Sequence, residues 1–133
     1  DNRYNEGYTY YIIRNEELIM TVKYVEQMVR KAMDDMDLVQ YKNNVTVTFD
    51  SYDRTLRVTR FGTTVLVLDF DYYKNHETGV VEWVVTSKTD ADALNTVFET
   101  LTSIGYNMPE LKFGYRPVNG GGYAQFLDGT DFK

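Results

Sequence analysis

Between Val45 and Thr86 the chain carries four strand-like segments joined by short connections, and this limits its fold more than any other feature. Val45, Val47 and Phe49 alternate with Thr46, Thr48 and Asp50, the period of a half-buried strand. The turn SYDR leads into a second strand, Leu56 to Phe61, and Gly62-Thr63 is a tight hairpin candidate before a third, residues 64–73. The turn KNHETG then precedes a fourth, residues 80–86. A parallel neighbour needs a crossover of a dozen or more residues, so these strands are expected to form an antiparallel meander. The third and fourth are apolar on both faces, which predicts that they are central and covered on both sides.

Helical patterns flank the meander. Leu18, Val22, Val25, Val29, Ala32 and Met36 form the apolar stripe of an amphipathic helix over residues 15–36, with Asn15 as its N-cap. Widened by Ile19, Met28 and Met33, the stripe is expected to lie on the domain's own sheet; the alternative is pairing with a second copy as a short coiled coil, and hence a homodimer. Thr89 to Asp92 reads as a capping box for a second helix, whose buried face is Leu94, Val97, Phe98, Leu101 and Ile104. Gly105 supplies its C-terminal cap. Two last strands, LKFGYRPV and YAQFL, bracket Asn119 to Gly122. The expected fold is α+β, in the order α-β-β-β-β-α-β-β, with an antiparallel sheet of about five to six strands in one domain spanning residues 1–133.

Composition narrows function mainly by exclusion. Twenty acids against fourteen bases give a net charge of −6, which disfavours direct binding to nucleic acid or an anionic membrane. The absence of cysteine removes disulfides, thiolate nucleophiles, iron–sulfur clusters and cysteine-type zinc sites. No apolar run reaches the ~20 residues of a membrane-spanning helix. The chain is expected to be soluble, with the cytoplasm the favoured compartment. It opens on Asp1, which leaves room for a leader removed upstream.

No catalytic set is visible. His76 is the only histidine and sits in a turn, without a nucleophile or orienting partner in the pattern around it. Asp69 and Asp71 are spaced to share one face of a strand, with Glu82 on the next. That trio is the alternative reading: a divalent-cation or small-molecule site, or the acid–base pair of a hydrolase. Arg54, Arg57 and Arg60 are the densest basic group and are expected to form ion pairs with neighbouring acids.

Residues suited to protein contact are more plentiful. Of twelve tyrosines, Tyr4, Tyr8, Tyr10 and Tyr11 crowd the amino terminus, and tyrosine is enriched at interfaces. Asp34, Asp35 and Asp37 close the first helix, and with Asp90, Asp92 and Glu99 they would build a negative surface. Asn119, Gly120, Gly121 and Gly122, followed by Tyr123, lack the lysine and hydroxyl residue of a phosphate-binding loop, so they read as an adaptable hairpin tip. The expected function is a non-enzymatic protein-binding domain with no cofactor, acting by blocking or sequestering a partner. Inhibitors carried by phages or mobile elements, immunity proteins and adaptors fit this description.

Overall fold

The computed structural model describes residues 22–72 and 78–132. The fold is α+β, and the described residues form two helices, a five-stranded antiparallel sheet and a separate two-stranded sheet. Helix α1 includes residues 22–34. The strands β1 (Gln40–Lys42), β2 (Val45–Asp50), β3 (Thr55–Arg60), β4 (Thr63–Asp69) and β5 (Val80–Trp83) then pair in sequence order. Helix α2 (Lys88–Ser103) leads to the hairpin of β6 (Leu111–Arg116) and β7 (Gly121–Phe126). Asn15, Tyr4, Tyr8, Tyr10, Tyr11 and His76 lie outside the described residues.

Register makes one face of the large sheet apolar. Val47, Val58, Leu66 and Trp83 stand in one row, and Phe49, Leu56, Leu68 and Val80 in the next. Onto that face pack Val25, Val29 and Ala32 of α1, Leu94, Val97 and Leu101 of α2, and Phe113 and Ala124 of the hairpin, all in one buried cluster. Trp83 and Phe98 each meet the Phe113 ring edge-on, at 5.6 and 5.4 Å between centroids.

The opposite face is polar: Thr46, Thr59 and Thr64 align across β2 to β4, beside Thr48, Arg57, Val67 and Glu82. No helix among the described residues covers it. The expectation that the third and fourth strands are central and covered on both sides holds for β4, an inner strand on which Val65, Leu66, Val67 and Leu68 are all buried, and is corrected for β5. β5 is an edge strand, and a bulge opposite Val67 turns Val81 out to more than half exposure.

Turn chemistry sets the connections. The two-residue loops Asn43-Asn44 and Phe61-Gly62 hold both residues at positive φ, the twist that two-residue hairpins favour. The second turn thus falls one residue earlier than Gly62-Thr63. The Phe61 amide donates to the Asn44 carbonyl at 2.7 Å and ties the two tips together.

Helix α2 begins two residues before the expected capping box: Ser87 is the N-cap, and its hydroxyl accepts from the Asp90 amide at 3.1 Å. Its end is as expected. Gly105 takes φ +108, and the Tyr106 amide reaches the Leu101 carbonyl at 3.0 Å, a Schellman ending.

Candidate functional site

Within three groups of residues that the sequence offers as surface contacts, individual members prove to be engaged inside the fold: Asp37, Asp90 and Gly122. Asp37 adopts φ +72 just after α1, and its carboxylate accepts from the Ser51 amide at 2.9 Å and the Ser51 hydroxyl at 2.7 Å. These bonds, the hydroxyl's first, hold the Asp37 carboxyl below its ordinary value. Asp37 therefore locks the end of α1 to the β2–β3 turn, while Asp34 and Asp35 remain exposed.

Asp90 lies beneath the surface. The sequence places it on an acidic helical face, but in the structure it is 3% exposed and paired with the Arg60 guanidinium from β3. Its second oxygen accepts from the Thr86 hydroxyl at 2.7 Å and the Thr86 amide at 2.9 Å. Burial pushes the Asp90 carboxyl up, but the Thr86 bonds and the Arg60 charge outweigh it and hold the group below its ordinary value. Asp92 pairs with Lys88 at 3.0 Å. Of the α2 acids, Glu99 is exposed. The expected negative helical surface is thereby reduced, because helical spacing sets which way a carboxylate points and only the assembled fold shows what waits there.

Asp69 and Asp71 do not share a strand face. β4 ends at Asp69, whose Oδ1 accepts from the Asp71 amide at 2.9 Å and the Tyr72 amide at 3.1 Å in a tight turn. Asp71 faces Arg54 at 3.3 Å, and Glu82 stands opposite Val67. No group of three potential metal ligands occurs among the described residues. The Asp69–Asp71 pair that the cation and hydrolase readings start from is thus not formed on one strand face, although Asp69 lines a concavity of about 400 Å³ with Asp50, Asp53 and Arg57. Of the three arginines expected to pair with acids, Arg54 and Arg60 do so, and Arg57 bonds the Thr64 hydroxyl at 3.4 Å.

The glycine run has a different shape from the expected tip. The turn is Pro117 to Gly120, while Gly121 and Gly122 belong to β7. Asn119 and Gly121 take positive φ, and a Cβ on Gly122 would overlap the Val85 carbonyl. Close approach of β7 to the β5–α2 connection therefore requires glycine at 122. Tyr123 is half-buried, and the Arg116 guanidinium lies 4.2 Å over its ring.

Of the sheet's two edges, β5 exposes Val81 and the β1 segment exposes more apolar surface. Leu38, Val39 and Tyr41 are 59, 63 and 67% exposed, and no strand pairs with the outer side of β1 among the described residues. The Asp37–Ser51 lock fixes this segment at its start, and Tyr52, 93% exposed, follows Ser51. At its far end the Lys42 ammonium sits 4.2 Å over the Tyr24 ring. Sequence reading missed β1, because three residues, Gln-Tyr-Lys, are too few to display a period. A hint was available in the run Leu38-Val39 directly after an acidic helix end.

No family model matches the chain, and comparison with curated proteins and with solved structures likewise finds no match. Among the described residues, no helix is long and apolar enough to cross a membrane.

Proposed function

We propose that this chain is a non-enzymatic protein-binding domain of inhibitor, immunity or adaptor type, which blocks or sequesters a partner by pairing with it along the β1 edge. One observation carries the reading: Leu38 and Val39, which lead into β1, and Tyr41 on β1 itself are each more than half exposed, beside a strand that has no outer partner among the described residues. Such an edge offers a row of free backbone donors and acceptors to another chain, and stable proteins usually blunt it with proline, a bulge or inward-pointing charge. β1 has no proline and pairs with β2 without a register shift, while its three-residue length and Lys42 limit how long a strand it can accept. An added strand would gain backbone bonds from the edge and side-chain pockets from Val39 and Tyr41.

The test is capture from lysate of the source cells with immobilised protein. The intact chain is expected to retain a defined partner, which the Val39→Lys, Tyr41→Lys double variant loses. The same change in net charge made away from β1, through Glu82→Gln and Asp92→Asn, should leave capture unchanged. Equal capture by the edge variant would overturn the proposed surface.

A further inference from the structure

A second surface lies where the end of α2, the loop into β6 and the chain after β7 border two adjoining shallow, open concavities of about 590 and 600 Å³. They share Met108, Pro109, Glu110 and Leu127, so they form one continuous groove. Its apolar wall is Tyr106, Met108, Pro109 and Leu127, and Leu127 is 75% exposed. Its charged lining is one-sided: Glu99, Glu110, Asp128 and Asp131 stand against Lys112 alone. The nearby Arg30 guanidinium is already engaged, by Glu26 at 3.3 Å and by the Ser103 hydroxyl at 3.0 Å. Bonds from the Thr130 hydroxyl and amide hold Asp128 below the usual carboxylate range and keep it charged in mild acid.

We infer that this groove binds a short basic segment of a partner protein, in which lysine or arginine flanks an apolar side chain that packs against Leu127 and Pro109. Four carboxylates around a concave apolar wall complement a cationic segment, and a lone apolar residue left so exposed beside a groove is a natural anchor contact. An acidic or purely polar segment would meet like charge or leave the wall wet. The inference shares with the binding reading only the need for a protein partner, since its surface is distinct from β1.

The test is fluorescence anisotropy with a labelled peptide of alternating lysine and leucine, compared with lysine–serine and glutamate–leucine counterparts. The lysine–leucine peptide is expected to bind best. Leu127→Ser and the pair Glu110→Gln, Asp128→Asn should each weaken it by about tenfold, the loss typical of one anchor contact. Asp34→Asn with Asp35→Asn, which removes the same charge elsewhere, should change it less than about twofold by the same reasoning. Unchanged circular dichroism and melting of Leu127→Ser would show that the fold is intact. Failure of the lysine–leucine peptide to bind, equal binding of the lysine–serine peptide, or equal weakening by the Asp34 and Asp35 changes would overturn the inference. So would a doubled mass in light scattering that Leu127→Ser abolishes, since a second copy would then fill the groove. The Val39→Lys, Tyr41→Lys variant should still bind the probe, so failure at one surface leaves the other standing.

Discussion

Asp90 shows how one side chain can serve three elements. Through Arg60 it ties β3 to α2, through Thr86 it fixes the connection from β5, and its own amide completes the Ser87 cap. Replacing it by alanine leaves a largely buried guanidinium without its counter-ion, and the Arg60 Nε already lacks an acceptor among the described residues. Asp90→Ala is expected to destabilise the fold by about 3 kcal/mol at neutral pH, read from the urea midpoint. The pH dependence has a definite sign. A carboxyl whose folded pKa is depressed contributes its full stabilisation above the unfolded value, ~4, and loses it as pH falls through the folded value. The gap between the two proteins should therefore close as pH falls below ~4. A gap independent of pH would mean that the Arg60 pairing adds little. That Arg60 pairs with an acid was legible in the sequence, but that the acid is Asp90 was not, because the two stand thirty residues apart.

At the level of elements, local periodicity decided what could be read. The alternation of Val45, Val47 and Phe49 marks β2, and the stripe containing Val25, Val29 and Ala32 marks the buried face of α1, since both repeats are complete within a few residues. The last member of that stripe, Met36, lies past the helix end and is exposed, because Asp37 turns the chain away to meet Ser51. The run Asn119 to Gly122 was legible as a turn signal but not in its register. Only the packed structure shows that Gly121 opens β7 and that Gly122 lies against Val85. The tip is accordingly anchored on one side. Gly122→Ala should force β7 off the β5–α2 connection and cost about 1–3 kcal/mol in thermal or chemical unfolding, the range for overpacking a tight contact. An unchanged midpoint would show that β7 has slack at this point. The caps follow the same division. The Gly105 ending is visible in sequence, whereas Ser87 is recognisable as the N-cap only once β5 is known to stop at Trp83.

For the molecule as a whole, the sheet buries one face under α1, α2 and the β6–β7 hairpin, and leaves a threonine-lined face and the β1 edge outside that core. The acidic charge that composition announces is partly consumed in pairs such as Asp90 with Arg60, Asp92 with Lys88 and Asp71 with Arg54. What remains for a partner is therefore defined by shape and exposure more than by net charge. The α+β class and the meander were legible because they follow from period and connection length. The candidate edge was not, because which strand ends a sheet depends on the order in which distant segments pair. The central claim is that residues 38–42 form the contact with the partner, and hydrogen exchange of the full chain with and without the captured partner tests it most directly. The amides of Val39 and Tyr41 are predicted to exchange fast in the free protein and to become protected in the complex, whereas Leu38 already donates to the Asp35 carbonyl at 3.2 Å and Gln40 and Lys42 face β2. Protection confined to other segments, with residues 38–42 exchanging as before, would contradict the account.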